Sequence, residues 1–373
     1  MFSCDDARHM ARALELARKG QLTTRPNPRV GCVLVKDGAV IGEGYHMRAG
    51  GPHAEVHALR AAGDAARGAT AYVTLEPCSH YGRTPPCSQA LIDAGVARVV
   101  AAMVDPNPQV AGRGLKMLVD AGIVAEHGLM AAEAEAVNPG FMKRMRTGLP
   151  LVRVKLASSL DGRTALANGE SKWITGPEAR ADVQRLRAIS DAVITGADSV
   201  LADNPSMNVR HGELGHWQSR IDADALMQPL RVVVDGRARL APPLKLLESE
   251  GPLMLATLGD YPADWPEAVS VWQAADNGAG KVDLTELLKE LARREMNEVL
   301  VEAGSALAGA FIAQGLWDEL WLYQAPKLMG SEARGLVALP ACENMAQVAS
   351  LSVKDVRRVG ADLRLILTRQ EKV

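Results

Sequence analysis

The chain has 373 residues, 47% of them hydrophobic and 23% charged, with a formal net charge of −2. That length points to two domains, and the composition excludes a disordered chain, a collagen-like repeat and a membrane bundle; no run of about 18 apolar residues is present to span a bilayer. A near-neutral balance and 4% aromatics argue against nucleic acid as a partner, whereas a small anionic substrate needs only a few well-placed arginines.

Asp5 and Asp6 lie where a secretory signal needs a basic start and an apolar stretch, so a cytoplasmic protein is expected. The five cysteines, Cys4, Cys32, Cys78, Cys87 and Cys342, are sparse and odd in number, poor material for a disulfide framework. Cys32, inside the apolar run Val30–Val35, reads as a buried small hydrophobe, and Cys4 and Cys342 have no nearby partners.

Residues 8–19 carry apolar and small side chains at helical spacing and predict a first helix. Pro26, Asn27 and Pro28 break the chain. Val30–Lys36 is a β-branched run, which Asp37-Gly38 turns back into Ala39–Gly44. A helix is expected at His53–Ala62, a strand at Ala71–Leu75, a helix at Ser88–Ala94, a strand at Arg98–Val104, a helix at Leu115–Asp120 and a strand at Ile123–Glu126. A helix from Ala131 is expected to end at Asn138-Pro139-Gly140, and Thr147-Gly148-Leu149-Pro150 reads as a linker. The domains are therefore drawn at residues 1–147 and 148–373.

In the second half Leu151–Ala157, Ala192–Thr195, Leu230–Asp235, Leu253–Leu258, Glu298–Glu302 and Leu320–Ala325 read as strands. Leu351–Val359 and Leu363–Thr368 form a closing pair that turns at Gly360-Ala361-Asp362. Helices are expected at Pro177–Ile189, Leu284–Arg294 and Ser305–Gln314, and residues 211–229 and 260–280 read as surface loops. Strand–helix alternation in both halves makes the fold class α/β, open sheets with helices on their faces.

The sharpest signal is His53-Ala54-Glu55 followed by Pro77-Cys78 and then Cys87. Catalytic zinc takes three protein ligands and leaves one position for water, and one imidazole with two thiolates supplies three. Water bound there is acidified enough to become a hydroxide nucleophile. Glu55, two residues from His53, is placed to move protons without being a ligand. The competing reading is a structural zinc closed by a fourth side chain, for which His57 or His80 is available; such a site has no need of Glu55. Otherwise His57 reads as a packing residue, His80 as a substrate-loop residue and His46 as a pocket or satisfied loop histidine.

This pattern resembles the zinc nucleobase and nucleoside deaminases. Here, however, the second cysteine follows the first by nine residues, through Ser79-His80-Tyr81-Gly82-Arg83-Thr84-Pro85-Pro86, rather than three. Together with Pro26-Asn27-Pro28-Arg29-Val30-Gly31 and His53-Ala54-Glu55-Val56-His57-Ala58-Leu59, that insertion resembles the deaminase half of the bifunctional riboflavin-biosynthesis deaminase–reductase family. The resemblance implies a cytidine-deaminase-like three-layer domain with one zinc on His53, Cys78 and Cys87 and with Glu55 catalytic.

In the second half Glu302-Ala303-Gly304-Ser305 joins a strand to a helix whose small residues either admit a phosphate to backbone amides or only allow close packing. No Gly-x-Gly-x-x-Gly follows a strand, so a Rossmann fold is not indicated. Lys155–Arg163, Gly169–Thr175 and Thr195–Pro205 resemble the reductase half of the same family. That resemblance implies a dihydrofolate-reductase-like α/β domain with NADPH near Ala157, Trp173, Ser199, Asp203 and the turn Gly304, Ser305, Ala306, Leu307, Ala308, Gly309 and Ala310. A phosphorylated ribosylaminopyrimidine substrate would contact Ser171, Arg187, Met207, Arg210 and Glu302, and the chain is expected to be a homo-oligomer.

Arg187 and Arg210 offer guanidinium forks suited to a phosphate monoester, Glu302 accepts from a sugar hydroxyl, and Trp173 gives a flat face for a ring. Lys155 is a candidate for assisting protonation or orienting a sugar hydroxyl. The bland alternatives are an ion pair for Arg187, core packing for Trp173 and Met207, and a turn cap for Asp203. Rival functions are a tRNA or cytidine deaminase with an appended domain, a deaminase whose second domain binds nucleotide without reducing, and a zinc-stapled binding protein.

Overall fold

The computed structural model describes residues 2–79, 85–108, 110–261 and 265–370, and the chain forms two compact units, Met1–Gly148 and Leu149–Val373. The first opens with α1 (Cys4–Lys19), whose start is fixed by a reciprocal cap: Ser3 Oγ accepts from the Asp6 N–H at 3.1 Å and the Asp6 carboxylate accepts from the Ser3 N–H at 2.8 Å. Next come β1 (Gly31–Lys36) and β2 (Ala39–Tyr45), joined at Asp37 and Gly38 with φ of 50° and 77°. Both central residues are left-handed, as the Asp-Gly pair led one to expect.

Then follow α2 (Ala54–Ala62), β3 (Thr70–Val73), α3 (Cys87–Asp93), β4 (Arg98–Ala101), α4 (Arg113–Asp120), β5 (Val124–His127), α5 (Ala131–Val137) and α6 (Pro139–Thr147). The sheet order is β2-β1-β3-β4-β5, with β1 antiparallel to both neighbours and β3, β4 and β5 parallel.

Side-chain alternation along the strands builds a core on each face. Val33, Val35, Tyr72 and Val100 pack with Met10 and Leu14 of α1, Ala134 and Val137 of α5 and Phe141 and Met142 of α6. Cys32, Leu34, Ala71 and Val73 pack with Ala54 and Ala58 of α2, Leu91 of α3 and Leu118 of α4, so Cys32 is the buried small hydrophobe expected. The result is three layers, helix on sheet on helix.

The helix from Ala131 ends before Asn138-Pro139-Gly140 as expected, with Asn138 as its C-cap, but the same residues open a second helix that the sequence did not announce: Pro139 is the first residue of α6, a position where its missing N–H costs nothing. Asn138 ties the helix pair to the Pro28-Arg29 segment, accepting from the Arg29 N–H at 2.7 Å and donating to the Arg29 carbonyl at 2.8 Å.

The second unit contains β6 (Leu151–Ser159), β7 (Arg163–Ala165), α7 (Pro177–Ala188), β8 (Ala192–Gly196), α8 (Ala197–Asp203), β9 (Leu230–Val234), α9 (Lys245–Glu248), β10 (Leu253–Thr257), β11 (Val269–Gln273), α10 (Leu284–Arg293), β12 (Glu298–Val301), α11 (Ser305–Ala313), β13 (Glu319–Ala325), β14 (Arg334–Gly335), β15 (Leu351–Val359) and β16 (Asp362–Arg369). The large sheet runs β11-β10-β9-β8-β12-β6-β13-β16-β15, parallel from β11 to β13 and antiparallel beyond. β7 and β14 pair separately.

Helices α10 and α11 cover one face through Leu284, Leu287, Leu288, Leu291, Ala308 and Phe311; α7 and α8 cover the other through Leu186, Ala197 and Val200. Residues 260–280 are not all loop, because β11 pairs with β10 at the sheet edge. Residues 211–229 hold only short 3-10 segments.

The neighbouring strands β8, β12 and β6 end in the three segments singled out in the sequence: Gly196 onward, Glu302 onward and Ser158 onward. The carboxyl edge of a parallel sheet is where such folds bind ligands. At the opposite edge Arg153 is buried between Glu298, at 2.5 Å, and Glu319, at 3.0 Å. Burial pushes the Glu319 carboxyl up, but the Arg153 charge and hydrogen bonds from Lys354 and Trp321 outweigh it and hold it at about 2.

Two predictions follow from this packing. A Cβ on Gly44 would lie 2.3 Å from the Ala54 carbonyl and 2.6 Å from the Ala58 nitrogen, so Gly44→Ala should destabilise the first unit by at least about 2 kcal/mol in urea unfolding; a loss below about 0.5 kcal/mol would contradict the close approach of α2 to β2. The Glu319 carboxylate, ordinarily near 4.5 and held near 2, stabilises fully above the first value and progressively less as pH falls towards the second. Glu319→Gln should flatten the acid slope of second-unit stability between those pH values, and parallel slopes would contradict it.

Candidate functional site

His53 occupies the extended position just before α2, and Glu55 lies in the first turn of that helix. Gly42 and Gly44 on one face of β2 let the α2 backbone press onto the strand, which brings both side chains to the end of β3. Cys78 follows β3, and Cys87 is the first residue of α3, its N–H donating to Cys78 Sγ at 3.2 Å. Amide donation of this kind favours a thiolate.

His53 Nδ1 lies 3.6 Å from Cys78 Sγ and 3.3 Å from Cys87 Sγ, and the three donor atoms are all within 4.8 Å of one another. Tetrahedral zinc with ordinary Zn–N and Zn–S bonds needs N–S edges of about 3.6 Å and an S–S edge of about 3.8 Å. The donor set and its spacing fit zinc. Among the described residues no fourth histidine, cysteine or carboxylate joins the trio, His57 included; His80 lies outside the described residues.

Hydrogen bonding from Cys87 and His53 holds the Cys78 thiol down at about 4, outweighing burial. Glu55 is 3% exposed, and its Oε2 has no hydrogen-bond partner. Burial, with the Cys78 charge beside it, pushes its carboxyl above the usual carboxylate range. An acid so placed alternates readily between donor and acceptor.

His46 packs edge-on against His53 with ring centroids 5.3 Å apart; its Nδ1 faces the Pro52 carbonyl and its Nε2 the Asn27 amide, both at 3.1 Å. The ring is both satisfied and at the site, so the two readings of His46 merge. Asn27 had been read only as a chain break and a motif position. Nothing in the sequence links it to a histidine 19 residues on.

In the second unit Arg187 and Glu302 form a partly buried bidentate pair, Nε to Oε1 at 2.5 Å and Nη2 to Oε2 at 2.9 Å, while Arg187 Nη1 donates to the Asn208 carbonyl at 3.1 Å. This corrects the expectation that Arg187 presents a free fork to phosphate: the fork faces Glu302. Arg210 pairs with Glu213 at 2.6 Å on the surface. Lys155 is held below its usual range by burial and the Arg187 charge, against the pull of Glu302, whose own carboxyl is drawn down by Arg187 against its burial.

Met207 is 3% exposed and packs in the core at φ 55°, so its side chain serves packing. Trp173 is 64% exposed with the Arg180 guanidinium 4.6 Å from its ring centroid, so core packing is excluded. Lys327 Nζ donates to the Trp173 carbonyl at 2.7 Å. Ser199 Oγ accepts from the Gly304 N–H at 3.2 Å, which sets the starts of α8 and α11 side by side, and neither helix has a side-chain cap.

Asp203 lies 3.5 Å from Lys172, Ser171 is half-buried before α7, and Ala157 sits on β6 opposite Tyr323. The turn after β12 divides: Gly304 and Ala306 are exposed and Ser305, Leu307 and Ala310 half-buried, but Ala308 and Gly309 are buried. A Cβ on Gly309 would lie 2.1 Å from the Ala338 carbonyl, so that glycine serves packing.

Residues 3–103 match the cytidine and deoxycytidylate deaminase zinc-binding region, and residues 150–365 match the RibD C-terminal domain. The riboflavin biosynthesis protein RibD of Escherichia coli is 54% identical over 363 residues, spanning 97% of this chain and 99% of the relative. The chain belongs to the RibD family. The RibD structure from Acinetobacter baumannii superposes with a TM-score of 0.90 at 47% identity, covering 98% of this chain and 99% of that one. A diaminohydroxyphosphoribosylaminopyrimidine deaminase/5-amino-6-(5-phosphoribosylamino)uracil reductase from Thermotoga maritima superposes with a TM-score of 0.86 at 31% identity, with the same coverage. Both the deaminase and the reductase domain of the RibD family are thus present in one chain.

The Arg187–Glu302 pair is testable without substrate. Glu302→Gln leaves a buried guanidinium uncompensated and should destabilise the second unit by about 3–5 kcal/mol in denaturant unfolding. A change under about 1 kcal/mol would show that the pair is solvated rather than structural.

Proposed function

We propose that the first unit deaminates 2,5-diamino-6-(5-phosphoribosylamino)pyrimidin-4-one and that the second reduces the ribosyl group of 5-amino-6-(5-phosphoribosylamino)uracil to ribityl with NADPH. The observation that carries the first step is the convergence of His53, Cys78 and Cys87 with the buried Glu55 carboxylate beside them, one of its oxygens unpartnered.

His53, Cys78 and Cys87 would hold zinc, which would acidify a bound water as nucleophile. Glu55 is the group to take that water's proton to the adjacent ring nitrogen and, as the C–N bond breaks, to pass the remaining hydroxyl proton to the departing amino group, which leaves as ammonia. His46, fixed by Pro52 and Asn27, walls the pocket beside His53.

NADPH bound at the carboxyl edge of β6, β8 and β12 supplies the hydride. The uncapped first turns of α8 and α11, with Ser199, Gly304, Ser305 and Ala306, are suited to its phosphates, and Trp173, Ala157 and Asp203 to its rings and ribose. Ser171 and Arg210 are the residues assigned to the substrate phosphate, for which Arg210 would have to exchange its Glu213 partner. Lys155 and Glu302 meet the sugar, with Arg187 holding Glu302 in place.

The expected state is a homo-oligomer in the cytoplasm, supported by the exposed Val353 and Val356 on the edge strand β15 and by the lack, among the described residues, of a helix long and apolar enough to cross a membrane. The reading is tested by measuring ammonia release and NADPH oxidation on one preparation with the diaminopyrimidine substrate. Both are expected; ammonia without NADPH consumption would leave a deaminase with a non-reducing second unit. Glu55→Gln should keep full zinc content yet release ammonia at least about 100-fold more slowly, while still reducing the uracil intermediate. Wild-type ammonia release in that variant would defeat the assigned role.

A further inference from the structure

Cys78 is carried by neither a helix nor a strand, because β3 stops at Val73 and α3 begins at Cys87. Its position is fixed by side chains instead. Glu76, two residues before it, is 4% exposed, and its carboxylate accepts four backbone N–H groups. Oε1 accepts from Gly114 at 2.8 Å and Leu115 at 3.2 Å; Oε2 accepts from Gly112 at 2.8 Å and Asp105 at 3.1 Å.

Gly112, Gly114 and Leu115 are at the start of α4, where helical N–H groups have no partner of their own, so Glu76 caps that helix from a distant part of the chain. The approach is tight: a Cβ on Gly114 would lie 1.9 Å from the Pro77 carbonyl. From the other side the buried Ser88 hydroxyl meets the Pro77 and Cys78 carbonyls, each at 3.1 Å, and the Ser88 N–H donates to the Cys78 carbonyl at 3.2 Å. The Pro77-Cys78 peptide is therefore clamped between α3 and α4.

We propose that Glu76 is a positioning residue for the metal centre: its carboxylate, sunk under the start of α4, fixes where Cys78 Sγ stands relative to His53 and Cys87 and so sets how firmly zinc is held. The inference rests on reading His53, Cys78 and Cys87 as zinc ligands. Four N–H donors converge on two oxygens, and only a carboxylate can accept from all four. In Glu76→Gln one of the two positions becomes an NH2 group facing two N–H donors, so the segment must shift to separate them. Cys78 is two residues further along the backbone and moves with it.

The test is zinc release from the holoprotein to a chelator, well below the unfolding temperature, together with the absorption spectrum of the cobalt(II)-substituted protein, whose thiolate and ligand-field bands report the coordination geometry. Glu76→Gln is expected to release zinc about 10- to 100-fold faster than wild type and to alter the cobalt bands, with reductase kcat and KM unchanged. Wild-type release and wild-type cobalt bands in Glu76→Gln would overturn the proposal, whatever happens to its Tm, because a residue serving only the fold moves neither.

Should Glu76→Gln fail to fold, Ser88→Ala decides: zinc release at least about threefold faster is expected, and an unchanged rate would overturn the clamp. A wild-type protein that binds neither zinc nor cobalt would overturn the ligand reading and this inference together, whereas a metal-binding wild type with an indifferent Glu76→Gln overturns this inference alone.

Discussion

Two thiols and an imidazole packed within 4.8 Å of one another are unstable company unless a cation joins them. Deprotonating both sulfurs at this distance and partly out of water is costly, and without metal the pair shares a proton, Cys78 driven towards thiolate and Cys87 pushed far the other way by its neighbour and by burial. A divalent ion replaces that proton and turns the repulsion into binding energy, so metal affinity and the stability of the first unit are linked. Much of the first unit's architecture holds the three donors against their mutual repulsion. The glycines of β2 admit α2, the amide of Cys87 supports the Cys78 sulfur, and the buried carboxylate of Glu76 anchors the segment between β3 and α3.

The second unit solves a different problem. The charged groups near the ends of its central strands compensate one another within the chain: Arg187 neutralises Glu302, and Lys155 is lowered by burial beside them. The hydride comes from a cofactor, so the protein has only to align the sugar and the nicotinamide and to keep the carboxyl edge of β8, β12 and β6 open to both. The first unit therefore depends on a metal for its local electrostatics, whereas the second is closer to self-sufficient.

Chemistry carried by adjacent residues was legible in the chain before folding. His53-x-Glu55 sits within one helical turn, and Cys78 and Cys87 are nine positions apart, so their residue types and spacing sufficed to pick out the donor trio that the fold brings together. Pairings between distant segments were not. Arg187 and Glu302 are 115 residues apart, and the N–H donors to Glu76 come 29 to 39 residues later, with no local pattern to announce either.

Omissions in the fold have the same origin. Pro139 follows the end of α5 as expected and also starts α6, a second helix held in place by the long-range bonds of Asn138 to Arg29. β11 is an edge strand with weak apolar alternation, recognisable only beside β10. Trp173 and Met207 carry opposite lessons, an aromatic left in solvent and a predicted contact residue sunk in the core.

The account stands on the coordination of one ion, and the most direct measurement is a crystal structure of the zinc-loaded protein with data collected at the zinc absorption edge. One anomalous peak should lie about 2.3 Å from Cys78 Sγ and Cys87 Sγ and about 2.0–2.1 Å from His53 Nδ1, with water in the fourth position and Glu55 beside that water. A fourth protein ligand in that position, or a peak that excludes any of the three donors, would contradict it.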